Sequence, residues 1–191
     1  MDLRLFIAID LPEHVRKEIG ELLDILKKYD ADIKWLLPEN IHLTLKFLGA
    51  TPESLVARIR EALLPLVSSY EPFYITILST GVFPSKKYPR IIWIGIVDSD
   101  ILKELRDRIE IAMSLLGFQR EDKKFHPHLT LGRVRAQKGM ISLMEELDLF
   151  HDKQFGSFRV DQVKLMKSEL KQKGAEYRCL HTIPLGVEDA R

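Results

Sequence analysis

Two identical tetrapeptides carry the residue types most suited to chemistry in this chain of 191 residues. The first is His42-Leu43-Thr44-Leu45, and the second is His128-Leu129-Thr130-Leu131. Each copy joins a histidine to a threonine two positions later, and each is preceded by a nearby proline. Histidine occurs only six times in the chain, so a repeat of this tetrapeptide is not expected by chance. We therefore interpret both copies as functional.

The spacing within each copy predicts that its histidine and threonine lie side by side. Both copies lie at the start of predicted strands, and residues i and i+2 of a strand project from the same face. His42 and Thr44 therefore share one face of their strand, with the intervening leucine in the core. His128 and Thr130 repeat this arrangement. If the two halves of the chain face each other, two imidazoles and two hydroxyls line one cleft.

This set of groups suits a displacement at phosphorus, in which the entering and leaving oxygens lie roughly in line on opposite sides of the phosphorus atom. One histidine can take a proton from the nucleophile while the other gives one to the leaving oxygen, because an imidazole pKa of about 6.5 allows both tasks. The threonine hydroxyls can donate hydrogen bonds to the phosphate oxygens. We therefore predict that His42 and His128 are catalytic and that Thr44 and Thr130 bind substrate.

The elements that must position these residues interleave along the chain, and hairpin-like connections indicate antiparallel pairing, so we predict an α+β fold. Strands are predicted at residues 3–9, 33–36, 41–48, 73–78, 91–97, 129–134, 158–168 and 177–185. Helices are predicted at about residues 13–26, 52–64, 100–116 and 141–149. We expect Asp10 to cap the first helix, the segment Asp98-Ser99-Asp100 to cap the third, and Pro65 to end the second or kink its end.

The composition narrows the function classes. Lys and Arg number 29 against 28 Asp and Glu, and a net charge of +1 excludes a strongly basic nucleic-acid coat. The single cysteine, Cys179, excludes an internal disulfide framework and a cysteine-rich zinc site. Apolar runs such as residues 91–97 are too short to span a bilayer, and the chain does not open with a signal-peptide pattern. We expect a cytoplasmic monomer without membrane association.

We also predict that the protein needs no metal and no cofactor. His126 and His128 form a His-x-His pair, but a zinc site needs three or four ligands and the sequence offers no further cluster. The one basic cluster in a loop is Lys86, Lys87 and Arg90, which can be read either as a solvated loop or as a path for RNA phosphates.

Two His-x-Thr-x motifs in one chain are the hallmark of the 2H phosphoesterase superfamily, which this sequence resembles. The resemblance extends over nearly the whole chain, and it is carried by residues 4–9, 40–49, 81–84, 89–95, 125–133 and 165–170, together with Gly174, Tyr177 and Leu185. It points to the bacterial and archaeal branch of RNA 2′,3′-cyclic phosphodiesterases, historically named 2′-5′ RNA ligases.

The resemblance implies one bilobal domain over residues 1–191. Its two pseudo-symmetric lobes would each be an antiparallel sheet with helices on the outer face, and the active-site cleft would lie between them. The implied activity is hydrolysis of RNA 2′,3′-cyclic phosphate ends to 2′-phosphomonoester ends. By similarity His42 would protonate the leaving 3′ oxygen and His128 would activate water, although the two motifs are too alike for the sequence itself to assign these roles.

Two further residues acquire meaning from the resemblance. The family's second motif often ends in an arginine, which makes Arg133 a candidate for substrate binding. Strand alternation, however, puts Arg133 on the opposite face from Thr130 unless the strand bulges. His126 stands where the family often has an arginine, and its role stays open.

Three alternative functions remain at this point. The same site could join RNA ends through a 2′-5′ linkage by the reverse step, since acid and base exchange roles. The substrate could instead be a small cyclic-phosphate metabolite. A non-catalytic RNA-binding module is the third, although two intact motifs count against it. Phe47, Phe83, Tyr88 and Trp93 are available for base stacking, but most aromatic residues in such strands belong to the core.

Overall fold

The computed structural model describes residues 2–97, 99–171 and 174–186. These residues form strands and helices that interleave along the chain. The strands are β1 (Asp2–Ile9), β2 (Ile33–Trp35), β3 (Leu43–Pro52), β4 (Phe73–Phe83), β5 (Ile91–Ile96), β6 (His128–Val134), β7 (Gln154–Val160), β8 (Gln162–Lys171) and β9 (Gly174–Pro184). The helices are α1 (Glu13–Leu26), α2 (Val56–Ser68), α3 (Asp100–Leu115) and α4 (Met140–Asp148). The predicted α+β class is confirmed.

All these strands belong to one antiparallel sheet in the order β7-β4-β5-β6-β3-β1-β8-β9, and β2 pairs with β6. We call β3, β1, β8 and β9 the first lobe, and β7, β4, β5 and β6 the second lobe. One ladder pair, Leu43 with Leu129, joins β3 to β6 and so joins the lobes. These are the central leucines of the two motifs, so the pseudo-two-fold relation passes between them.

The helices cover the core side of the sheet, and two of them are exchanged between the lobes. Helix α1 follows β1 of the first lobe but packs against β7 of the second. Helix α3 follows β5 of the second lobe but packs against β3 of the first. Helix α2 packs on β8 and β9, and α4 packs on β4. Each sheet half is therefore covered by one helix that the other half supplies.

The core is one continuous apolar cluster that spans both lobes. Leu43 and Leu129 are fully buried within it, as the alternation within the motifs predicts. The inner face of α1 contributes the residues that its spacing predicts: Val15, Ile19, Leu22, Leu23 and Leu26. The face of the sheet that carries the motif histidines and threonines is the one opposite to this core.

Some boundaries differ from the predicted ones. Strand β4 continues to Phe83, through residues that were expected to form a loop, because it pairs with β5 along that length. The single strand expected at 158–168 is two strands, β7 and β8. Helix α2 continues past Pro65 to Ser68, since burial of Leu63 and Val67 outweighs the local cost of the proline.

The helix starts also test the sequence interpretation. Asp10 does not cap α1: the N-cap is Pro12, which makes no side-chain cap hydrogen bond, and Asp10 pairs with Arg16 and Lys164 instead. At α3 the expected cap is confirmed, because the Ser99 side chain accepts a hydrogen bond from the Leu102 amide. Asp98, which was expected to share that role, lies outside the described residues.

Among helices of the described residues, none combines the length and the apolar character that a membrane crossing requires. The side chain of Cys179 is exposed.

The pair of Leu43 and Leu129 that joins the lobes, which we call the seam, should be sensitive to lost packing. We expect Leu129→Ala to lower the free energy of unfolding by about 2–5 kcal/mol, because it removes a fully buried side chain at the one ladder pair between β3 and β6. Leu149→Ala is the matched control: Leu149 is 75% exposed, so its loss should change stability by less than about 0.5 kcal/mol. Urea unfolding measures both, and equal effects would contradict the assigned role of the seam.

Candidate active site

The pairing of Leu43 with Leu129 determines which side chains meet on the opposite face. Directly paired residues of an antiparallel ladder point to the same face, and their neighbours point to the other. Both leucines point into the core, so the residues on either side of them share what we call the motif face. Its four half-buried members are His42, Thr44, His128 and Thr130. The register places each histidine beside the threonine of the other motif.

A β-bulge follows each motif at the same position. In the β1–β3 ladder, Ala8 pairs with Thr44 and Ile7 with Lys46, which leaves Leu45 without a partner in that ladder. The β5–β6 ladder shifts in the same way around Leu131. A bulge displaces the alternation by one residue, so the third residue after each threonine turns back to the motif face.

The bulge decides the position of Arg133. Plain alternation would turn Arg133 away from Thr130, whereas the bulge at Leu131 turns it to the motif face, where it is exposed and interacts electrostatically with His128. The structure therefore brings Arg133 together with the four motif residues. Phe47 holds the equivalent position in the first lobe. It is 67% exposed, so it does not belong to the core as most aromatic residues in such strands do, and the sequence had left base stacking open for it.

Both imidazoles make the same backbone hydrogen bond. Nδ1 of His42 donates to the carbonyl oxygen of Asn40 at 2.9 Å, and Nδ1 of His128 donates to that of His126 at 2.7 Å. A carbonyl oxygen only accepts, so Nδ1 carries the hydrogen in each ring. Nε2 is then left to accept a proton when the ring is neutral, or to donate one when it is charged.

Aromatic rings set the orientation of the two imidazoles. His42 stacks on Phe6 with ring centroids 4.7 Å apart, and the ring of Tyr177 meets it edge-on at 5.1 Å. His128 meets the edge of Phe83 at 5.0 Å. Sequence reasoning missed the roles of Phe6 and Tyr177, because Phe6 lies in an unbroken apolar run and Tyr177 is remote in sequence from the motif it contacts.

Burial lowers the pKa of both histidines below its ordinary value. For His42 the hydrogen bond to Asn40 and the charge of Asp10 oppose this effect, while Arg16 adds to it. For His128 the hydrogen bond to the His126 carbonyl raises the pKa, while the electrostatic interactions with the His126 side chain and with Arg133 lower it further.

The segment before the first motif is held by Arg16 of the exchanged helix α1. Its guanidinium donates to the carbonyl oxygens of Pro38 at 2.7 Å and of Ile41 at 3.3 Å. These carbonyls flank the residues that lead directly into His42. A helix that packs on the second lobe therefore fixes the segment that leads into the first motif.

A buried ionic cluster holds the segment before the second motif in place. Lys46 of β3 pairs with Glu110 of α3 at 2.6 Å, and the two residues are 4% and 2% exposed. Lys46 also donates to the carbonyl oxygen of Gln119 at 2.9 Å, while Glu110 accepts from the amide of Glu121 at 3.3 Å. Arg106 approaches Glu110 at 3.3 Å. The cluster ties the loop that precedes His128 to the strand that carries the first motif.

A pocket of about 270 Å³ opens beside His128. Its walls include Ser79, Phe83, Trp93, Gly95, His126 and His128. Gly95 allows close packing at this wall: a Cβ there would lie 2.9 Å from the Leu78 carbonyl oxygen and 3.2 Å from the Trp93 ring. Phe83 and Trp93 therefore border the site, whereas the sequence placed most such aromatics in the core.

The basic loop is partly engaged in contacts of its own. Lys86 donates to both carboxylate oxygens of Asp148, at 2.7 and 2.8 Å, and the ammonium of Lys87 lies 5.6 Å from the centre of the Tyr88 ring. Within residues 2–97, 99–171 and 174–186, no three His, Cys, Asp or Glu side chains are placed to hold a metal ion together.

Comparisons with known proteins agree with this geometry. Residues 11–172 match the model of the 2′-5′ RNA ligase superfamily. A protein of Methanothermobacter thermautotrophicus, named RNA 2′,3′-cyclic phosphodiesterase, is 36% identical over 177 residues, which cover 93% of this chain and 96% of that protein. A Thermotoga maritima protein of the same name is 35% identical over 180 residues, covering 94% of both.

Solved structures show the same fold. The crystal structure of a Thermus thermophilus protein matches with a TM-score of 0.83 at 28% identity, over 97% of this chain and 100% of that one. Escherichia coli LigT complexed with 3′-AMP matches with a TM-score of 0.74 at 24% identity, over 97% and 99% of the two chains.

The histidine environment predicts a definite titration behaviour. In the free protein we expect His42 and His128 to titrate below about pH 6.5, and each neutral ring to carry its hydrogen on Nδ1. Nitrogen-15 chemical shifts of labelled histidine report both properties, and spectra of His42→Ala and His128→Ala assign the signals. A neutral ring protonated on Nε2 would contradict the assigned hydrogen bonds.

Proposed function

The chain belongs to the 2′-5′ RNA ligase superfamily, and we propose that it hydrolyses RNA 2′,3′-cyclic phosphate ends to 2′-phosphomonoester ends. The observation that carries this proposal is the motif face, where two His-x-Thr pairs lie together and each histidine has its Nδ1 bound to a carbonyl. The relatives that share the name RNA 2′,3′-cyclic phosphodiesterase at 35–36% identity support the same activity.

In the proposed reaction, water attacks the phosphorus, the bond from phosphorus to the 3′ oxygen breaks, and the 2′ oxygen keeps the phosphate. Neutral His128 takes the proton of the water at Nε2, and protonated His42 gives its proton from Nε2 to the 3′ oxygen. The cycle ends with His128 charged and His42 neutral, so both must exchange protons with solvent before the next turnover.

The remaining motif residues bind the phosphate in this proposal. The hydroxyls of Thr44 and Thr130 donate hydrogen bonds to the non-bridging oxygens, whose negative charge is shared in the transition state. Arg133 lies on the same face, and its guanidinium suits either that phosphate or the phosphate of the neighbouring nucleotide.

We further propose that residues 1–191 form one bilobal domain that acts as a cytoplasmic monomer on RNA ends or nucleotide cyclic phosphates. The exchanged helices support a single domain, because neither half of the sheet is covered by its own helices alone. The lone cysteine is consistent with a reducing compartment.

The pocket beside His128 favours 2′-5′ ligation as a second candidate activity. If His128 activates the nucleophile, a nucleoside seated in this pocket would present its 5′-hydroxyl in the place of water. The test is to add oligonucleotides with a 5′-hydroxyl end to a cyclic-phosphate-ended partner and to search the products for 2′-5′ linkages. Hydrolysis alone, at every acceptor concentration, would exclude ligation.

Removal of either histidine should disable the enzyme without unfolding it. We expect His42→Ala and His128→Ala each to lower the turnover of a cyclic-phosphate-ended oligonucleotide by about 100-fold or more. The double variant should lose less than the product of the two single losses, since the residues act as a unit. His151→Ala, which removes an exposed histidine away from the motif face, is the control. Near-full activity in either single variant would refute the two-histidine mechanism.

The threonines should contribute to transition-state binding. Thr44→Val and Thr130→Val keep the side-chain shape but remove the hydroxyl, so each should raise the activation free energy by about 1–3 kcal/mol. The ratio of kcat/KM values measures this change. Unchanged kinetics in the double variant would show that both hydroxyls are structural.

Opposite tasks for two histidines predict a bell-shaped pH dependence of the rate. Activity should fall at low pH as the base becomes protonated, and at high pH as the acid loses its proton. Because burial lowers the pKa of both rings, the bell of kcat/KM should lie at lower pH than that of kcat, where bound phosphate favours the charged imidazoles. We expect His42→Ala to lose the alkaline limb and His128→Ala the acidic one. A full bell in both variants would assign proton transfer to other groups.

A further inference from the structure

The two motifs are alike, but the strands next to them are not. In the β1–β3 ladder Ile9 pairs with Leu43, so the following residue, Asp10, faces His42 across the end of the ladder. In the equivalent β5–β6 ladder, Gly95 pairs with His128. A carboxylate therefore stands beside the first histidine, and a residue without a side chain stands beside the second.

Asp10 is held in this position by three contacts. Lys164 of β8 donates to its Oδ2 at 2.8 Å, Arg16 of α1 pairs with its Oδ1, and the amide of Leu11 donates to the same oxygen at 3.0 Å. Although burial works against ionisation, the hydrogen bond from Lys164 and the charge of Arg16 lower the pKa of Asp10. The carboxylate is thus charged throughout the range in which histidines titrate.

The charged groups around the two histidines differ: a carboxylate acts on His42 together with a cation, whereas both groups that act on His128 are basic. Asp10, Arg16 and Tyr177 face His42 from the end of β1, from α1 and from β9, and Lys164 reaches the same place through its pair with Asp10. The two described groups whose charges act on His128 are both basic: His126 before β6 and Arg133 within it.

We propose that Asp10 is a positioning residue that makes His42, rather than His128, the proton donor of the reaction. This inference rests on the proposed function. Burial lowers the pKa of both imidazoles, so it does not explain why one of them would act as the acid and the other as the base. The carboxylate of Asp10 favours the charged form of His42, whereas the arginine and histidine near His128 favour its neutral form, which is the form a base requires.

Asp10→Asn tests the proposal with little change of shape, because the amide oxygen can still accept from Leu11. The substitution also leaves the charges of Arg16 and Lys164 without their carboxylate beside His42. We expect the alkaline limb of the kcat/KM profile to move to lower pH by about 1 unit, with the acidic limb unchanged. Nitrogen-15 chemical shifts should show that the pKa of His42 falls together with the alkaline limb, while the pKa of His128 is unchanged.

Two further variants complete the test. Asp10→Glu keeps the charge and should restore the alkaline limb toward its wild-type position. Asp152→Asn removes the carboxylate that lies 2.9 Å from exposed His151, and it should leave both limbs unchanged. Thermal unfolding of each variant confirms that the fold is kept.

Two other outcomes would overturn the role of Asp10 and the proposed function separately. A uniform loss of rate with unmoved limbs, or an equal shift of both histidines, would overturn the role of Asp10 and leave the hydrolase proposal intact. Absence of cyclic phosphate hydrolysis in the wild type would overturn the proposed function and with it the assignment of a proton donor. The histidine titrations would still show whether Asp10 acts on His42 alone.

Discussion

Between β3 and β6 the two lobes share one backbone pairing, Leu43 with Leu129, and its geometry determines which side chains can act together. Because strand residues alternate, two leucines that point into the core force their neighbours onto the other face. Because the pairing is antiparallel, each histidine is placed next to the threonine of the other motif. A single register between two strands thus brings both histidines and both threonines together, which is the arrangement that the proposed acid and base require.

The residues around the Leu43–Leu129 pair give the two motifs different surroundings, although the motifs themselves are related by pseudo-symmetry. The bulges after the motifs turn Phe47 to the motif face in the first lobe and Arg133 in the second. An aromatic ring and a guanidinium thus stand at equivalent positions of the two lobes, and in the proposed reaction they suit base stacking and phosphate binding respectively. A carboxylate beside His42 and a pocket beside His128 add to this difference between the lobes, and the proposed reaction requires such a difference because its two histidines have opposite tasks.

The motif pairs, the α+β class and the inner face of α1 could be predicted from the sequence, because each of these depends on short-range periodicity. The bulge at Leu131 could not be predicted, since a bulge is defined by the pairing of two strands distant in sequence. The contact of Tyr177 with His42 and the pairing of Asp10 with Lys164 are long-range in the same sense. Asp10 had the local signal of a helix cap, and only its neighbours in three dimensions show another use.

The sheet order also bears on how the chain reaches its native state. Strand β1 pairs with β3 on one side and with β8 on the other, where Ile7 pairs with Leu165, so one of its edges stays unpaired until β8 has been synthesised. The exchanged helices add further contacts between distant segments. Pairing of segments so distant in sequence costs loop-closure entropy before the contacts stabilise the structure, and this makes folding slow. We expect this sheet to be completed only after the β8–β9 hairpin has been synthesised, and the apolar edge of β1 to need protection until then.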